Sequence, residues 1–252
     1  MTFVDEWRQW RAKREAAVVA RGGSATLTGT HWLYGDTVID DIPGTWRTEG
    51  TGVRVTGADG LTLDGEPITE ALVYEDSRLW YGEIELLIIR RGEDFAVRAY
   101  DVNSEAARSF QGIDTFEPDR KWVIPAQFTP ADPFDTVHIE HSYTDRVADY
   151  PLLGTLSFEV DGQPVEVLAL HGGENIAHIT FRDGTSGKES YGAARFLFPQ
   201  VPQGGGPVEL DFNRASLPPC AFSDAFVCPL PPEQNVLPFR VEAGEKSLRS
   251  SE

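Results

Sequence analysis

The chain has 252 residues, with 22 Lys plus Arg against 40 Asp plus Glu and a formal net charge of −18. A chain this acidic lacks the clustered positive charge that duplex nucleic acid requires, and an anionic membrane surface would repel it. Its 40% hydrophobic content, with six Trp and fourteen Phe, excludes global disorder, and no apolar run approaches the roughly 18 residues that signal a membrane-spanning helix.

The start, Met1-Thr2-Phe3-Val4-Asp5-Glu6-Trp7, places acids and Trp where a secretory signal carries basic and apolar regions, so a cytoplasmic location is expected. Residues 3–20 read as a helix. Phe3, Trp7, Trp10 and Arg14 recur at spacings of three and four and form one aromatic stripe, and Gly22-Gly23 ends the element. Such a stripe docks the helix on the body of the protein or, alternatively, binds a partner.

From Ser24 onward the pattern is that of strands: 25–27, 45–48, 52–55, 61–63, 78–81, 85–90 and 95–100, broken by Gly, Asp and Pro. Residues 103–109 read as one helical turn, and the segments around 116–118 and 128–133 read as turns. Further strands are expected at 136–143, 155–160, 164–170, 176–181, 190–197, 208–212 and 236–241. Asp161-Gly162 is a hairpin turn, and 199–207 is a loop. Many short strands at close spacing imply a mainly β fold: two packed β-sandwich-like or barrel-like lobes with one N-terminal amphipathic helix. The expected organisation is the helix in 1–22, one β lobe in 23–130 and a second in 131–252, or else one continuous domain.

The charge is unevenly spread. Residues 131–180 carry nine acids and a single base, Arg146, whereas 181–200 carry Arg182, Lys188 and Arg195 against Asp183 and Glu189. The second stretch is the local exception in an acidic chain.

That stretch opens a series of distinctive segments: Asp183-Gly-Thr-Ser-Gly-Lys-Glu-Ser-Tyr191, Asp211-Phe-Asn-Arg-Ala215, Pro218-Pro-Cys-Ala-Phe222, Cys228-Pro-Leu-Pro-Pro-Glu-Gln-Asn235 and Val241-Glu-Ala-Gly-Glu-Lys246. With Leu27-Thr-Gly-Thr-His-Trp-Leu33, Ile88-Ile-Arg-Arg91, Phe110-Gln-Gly-Ile113 and Asp119-Arg-Lys-Trp-Val123, they resemble the bacterial and archaeal family called domain of unknown function 1684. Departures are Ser190-Tyr191 for the family's Thr-Tyr, Ala193-Ala194-Arg195 for Gly-Gly-Arg, and Ala215-Ser216-Leu217-Pro218 for Ala-Tyr-Asn-Pro. The resemblance implies no activity, and the lost Asn removes a polar side chain at position 217.

The residues themselves frame the chemistry. In a strand, i and i+2 share a face, so Asp211 and Asn213 are expected to point together, and Tyr191, Ala193, Arg195 and Leu197 likewise. An Arg in a small, apolar row needs a carboxylate, which Asp183 or Asp211 could supply. Two readings follow: Arg195 holds a substrate anion in a polar pocket, or it forms a buried structural ion pair. Glu242 and Glu245-Lys246 bracket Gly244 and fit either paired acid/base carboxylates or a surface charge pair.

Cys220 and Cys228, the only cysteines, lie in a Pro-rich loop with Asn235 close behind. They read as structural thiols, as a disulfide or, with His171 or His178, as part of a metal site; C-x7-C is not a usual zinc spacing. His138 and His141 point to opposite faces of a strand, which argues against shared ligation. No metal and no cofactor is therefore expected.

The leading functional reading is a pocket for a small polar or anionic molecule, lined by Asp183, Tyr191, Arg195, Asp211, Asn213, Glu242 and Lys246. If enzymatic, it suits a cofactor-free, hydrolase-type acid/base step. The alternative is a non-catalytic β module that interacts or assembles. No nucleic-acid or membrane partner is expected.

Overall fold

The computed structural model describes residues 2–141 and 144–249. The protein is mainly β, with two curled sheets and one long N-terminal helix, α1 (Phe3–Val19). By internal contacts the chain divides into two compact units: Arg14–Phe110 with Phe222–Phe226, and Met1–Lys13 with Gln111–Ala221 and Val227–Glu252.

The first unit holds β1 (Leu27–Trp32), β2 (Thr37–Ile39), β3 (Ile42–Glu49), β4 (Gly52–Leu63), β5 (Glu66–Val73), β6 (Arg78–Tyr81), β7 (Ile84–Arg91) and β8 (Asp94–Tyr100). The strand order is β1-β8-β7-β6-β4-β3-β2, with β5 also on β4. The expected strands 52–55 and 61–63 are the two halves of β4. Its first half registers with β3 and with the end of β5, and its second half with the start of β5 and with β6. The register shift between them falls where Gly57 and Gly60 take positive φ, so the glycines that suggested a break instead bend one strand and curl the sheet. Trp46, Val53, Val55, Leu61, Leu79, Leu86, Ile88 and Val97 fill the core. A short helix, α2 (Glu105–Ser109), is capped by Ser104 Oγ, which accepts from Ala107 N at 3.2 Å.

The second unit holds β9 (Ile113–Thr115), β10 (Val123–Pro130), β11 (Thr136–His141), β12 (Thr144–Val160), β13 (Gln163–Gly173), β14 (Ile176–Phe181), β15 (Arg195–Leu197), β16 (Gly206–Asp211) and β17 (Glu245–Leu248). Seven strands form one sheet in the order β15-β14-β13-β12-β10-β16, with β11 on β12, and β9 pairs with β17 separately. Asp161 and Gly162 both take positive φ, as a two-residue hairpin between right-twisted strands requires. Residues 142 and 143, the end of the expected strand 136–143, lie outside the described residues. The core gathers Trp122, Phe128, Leu156, Phe158, Phe181, Leu210 and Phe212.

Residues 128–130, read as a turn, end β10, whose Phe128 and Ala126 alternate inward against β12 and β16. Of 190–197, only Arg195–Leu197 is strand, so Tyr191 does not share a strand face with Arg195; the preceding residues are folded into turns around Asp183. Residues 236–241 are not a strand: Leu237 N–H donates to Arg182 O and Val241 N–H to Asp183 Oδ2, and these bonds replace a ladder.

Candidate functional site

Asp183 sits just past the end of β14, where the chain turns through Gly184-Thr185-Ser186. Its side chain accepts from Thr185 N at 3.1 Å, Thr185 Oγ1 at 3.0 Å and Ser186 Oγ at 3.2 Å. This is the local side-chain turn that Asp followed by Ser and Thr favours. The same carboxylate accepts from Val241 N at 2.7 Å and from Arg195 Nη2 at 3.0 Å.

Arg195, at the start of β15, is enclosed. Both it and Asp183 have 0% side-chain exposure. Besides Asp183, its guanidinium donates to the carbonyls of Val241, Ala243 and Glu245 and lies over the rings of Phe181 and Phe116. Burial lowers its pKa from the ordinary guanidinium value, opposed by the nearby Asp183 and Glu245 carboxylates. Nε alone is buried with no acceptor among the described residues.

Glu245 completes the cluster. It is buried, and its Oε2 accepts from Leu217 N at 2.6 Å. Gly244 makes this possible: its φ is +79°, and a Cβ there would lie 2.5 Å from Ala215 O. Glu242 and Glu245 thus have opposite surroundings. Glu242 is exposed and pairs with Arg240, which also binds Glu189.

Asp211 and Asn213 do meet, but not as strand neighbours. The strand β16 stops at Asp211, and residues 212–214 form a 3-10 turn. Asp211 Oδ1 accepts from Asn213 N and Nδ2, at 3.1 and 2.9 Å, and Oδ2 pairs with Arg214 Nε at 3.1 Å. Asp211 is satisfied there and is not bonded to Arg195. Asn213, fully buried, grips the backbone of Asp119, accepting its N–H at 2.9 Å and donating to its carbonyl at 3.0 Å; the Asn213 carbonyl accepts from Trp7 Nε1 at 3.0 Å. One residue therefore fixes both α1 and the 119–121 turn.

Those two segments wall an open groove of about 990 Å³ lined by Thr2, Phe3, Val4, Phe116–Lys121 and Glu242. Thr2 caps α1 by accepting from Asp5 N, while Asp5 accepts in return from Thr2 N. Arg120 lies over Phe3, and Lys246 over Phe116. Of the expected pocket residues, Glu242 lines this groove and Lys246 borders it through Phe116. Tyr191 lies elsewhere, its N–H donating to Lys246 O and its hydroxyl to Cys220 O at 3.4 Å.

Asn235 is a structural device. Beyond the Leu170–His178 pair, β13 and β14 separate. The Asn235 side chain spans the gap: Oδ1 accepts from Leu168 N at 2.7 Å, and Nδ2 donates to Leu168 O and Thr180 O. Among the described residues no group of three or more His, Cys, Asp and Glu could hold a metal ion, and no helix is long and apolar enough to cross a membrane.

Sequence reasoning missed Glu245 as a buried partner and Phe116 as the ring shared by cluster and groove. The polar turn Asp183-Gly184-Thr185-Ser186 was a readable signal for the capture of Asp183 by its own loop; nothing in the sequence marked Glu245 as buried or Phe116 as shared.

The family described as "Protein of unknown function (DUF1684)" matches residues 108–246. Among solved structures, an uncharacterized protein of Haloarcula marismortui, determined by solution NMR, is 33% identical, with 57% of this chain and 81% of that chain covered and a TM-score of 0.47. No curated protein matches.

Proposed function

Since the chain belongs to the DUF1684 family, which carries no assigned activity, we propose from the geometry that it is a non-catalytic binding protein whose ligand, a small charged molecule, docks in the groove beside Phe116. The observation that carries this reading is the groove itself. It joins an apolar floor of Phe3, Val4 and Phe116 to a rim of Glu117, Asp119, Arg120, Lys121 and Glu242, the mixture of apolar surface and few charges that small-molecule sites use. Its walls are pre-set by Asn213, so binding orders little new structure.

The Arg195–Asp183–Glu245 cluster is assigned to support. An acid/base role asks for a carboxylate with an unused lone pair facing a reactant. Asp183 instead accepts five hydrogen bonds from the protein.

The test is a thermal-shift panel of small carboxylates, phosphates and amines. A ligand at 100 times its Kd adds about 2.7 kcal/mol of stability. The expected result is a shift with at least one class that Phe116→Ala and Lys121→Ala both reduce. No shift across the panel, or one that neither substitution changes, overturns the reading.

A further inference from the structure

We infer that Cys220 and Cys228 are a reversible disulfide site, a thiol pair that peroxide closes into a bond across the base of the loop 221–227. The two residues are already in contact: the backbone N–H of Cys220 donates to Cys228 Sγ at 3.2 Å. Covalent geometry then holds their Cα atoms within about 7 Å of each other, the outer edge of what a disulfide spans. The stems are stiff, since Pro218-Pro219 precedes the first cysteine and Pro229 follows the second, and Ala221 N–H donates to Pro218 O at 3.0 Å. A rigid stem keeps the two residues at close range, which raises the rate of their joining over any reaction between chains.

The surroundings favour Cys228 as the sulfur that carries charge, because an amide N–H aimed at it stabilises that charge. Tyr191 Oη stands 4.0 Å from the other sulfur, Cys220 Sγ. No disulfide joins the two cysteines in the structure, and both are nearly closed to solvent, with 3% and 5% exposure. Burial of this degree keeps bulky reagents away from the sulfurs, so the oxidant must be small.

The chemistry balances with hydrogen peroxide. One thiolate sulfur attacks the peroxide O–O bond, which breaks to leave a sulfenic acid and hydroxide, and the thiol's proton converts the hydroxide to water. The second thiol attacks the sulfenic sulfur, an S–S bond forms, the S–O bond breaks and a second water leaves. The two cysteines lose two electrons, and the peroxide oxygens gain them. Once the chain opens, a dithiol reverses the bond by exchange.

The full-length folded chain is treated with hydrogen peroxide, quenched, alkylated in denaturant and weighed intact without reductant. The expected product is a monomer lighter by two hydrogens that takes up no alkylating agent. Cleavage before Asp224 yields two fragments joined through Cys220 and Cys228, and dithiothreitol restores both thiols. Two alkylated thiols after peroxide, sulfinic or sulfonic acid in place of the cross-link, or a bond between two chains would each overturn the inference. The wild-type chain suffices, so no variant needs to fold for the test to decide.

Discussion

Arg195 and Asp183 face each other at 3.0 Å with neither side chain reaching solvent. Such a pair costs solvation that its mutual attraction only partly offsets, so it specifies an arrangement more than it stabilises one. Here the arrangement ties together three stretches, 183–186, 195 and 241–245, that lie apart in the sequence, and it adds side-chain bonds to the backbone pairing of Phe181 with Arg195 and of Gly184 with Phe239.

Removing one member should therefore be worse than removing both. Asp183→Ala strands a buried guanidinium and should destabilise the protein by about 3–5 kcal/mol. Adding Arg195→Met to it should recover part of that loss. Urea denaturation of both single variants and the double variant measures the difference, and a double loss equal to the sum of the two single losses would show that the two side chains act independently.

The Asn235 side chain stands in for a neighbouring strand. Its amide supplies the partners that Leu168 and Thr180 would otherwise find in a continued ladder. Asn235→Ala leaves these backbone groups without a protein partner and should cost about 1–3 kcal/mol. The amide of Leu168 should exchange with solvent markedly faster in the variant, whereas that of Leu156, whose strand pairing is unaffected, should not; hydrogen exchange resolved by residue reads both.

What the sequence made legible follows from how local each cause is. Strands 78–81 and 176–181 were readable to the residue, and Asp161-Gly162 announced its hairpin, because alternation and turn chemistry act between neighbours. The need of Arg195 for a carboxylate was also readable, since a buried cation implies a buried anion, but the sequence left Asp183 and Asp211 as equal candidates. Less local features were hidden. Asp211 and Asn213 were given a strand's geometry, but the chain leaves β16 at Asp211, and the Asn turns to hold Asp119 almost a hundred residues away. Glu242 and Glu245 look equivalent in sequence, and only the turn at Gly244 sends one to solvent and the other into the Arg195 cluster.

That turn is itself testable. Gly244→Ala must hold an L side chain at φ +79° with its Cβ 2.5 Å from a backbone carbonyl. The left-handed conformation alone costs about 1–2 kcal/mol, and the clash adds to it. Gly204→Ala, where nothing lies within 4 Å, is the control and should leave the denaturation midpoint unchanged. Equal midpoints for both variants would refute the close-approach argument.

His178 on β14 is stacked against Phe198 with ring centres 4.8 Å apart, meets Phe196 edge-on at 4.5 Å, and has Thr180 Oγ1 3.3 Å from Nε2. Burial among these groups pushes its pKa down to about 4 from 6.5. A histidine whose folded pKa is depressed is more readily protonated in the unfolded chain. Its contribution to stability is therefore complete above pH 6.5 and is lost as the pH falls towards 4, below which it is absent. The ring is not wholly enclosed, so solvent screening trims the loss to at most about 2–3 kcal/mol. In His178→Gln the same segment of the stability curve should flatten by that amount while carboxylate titrations continue to shape the remainder. Urea midpoints at pH 7, 5.5 and 4.5 for both chains measure it, and parallel curves would mean that this imidazole does not govern the acid response.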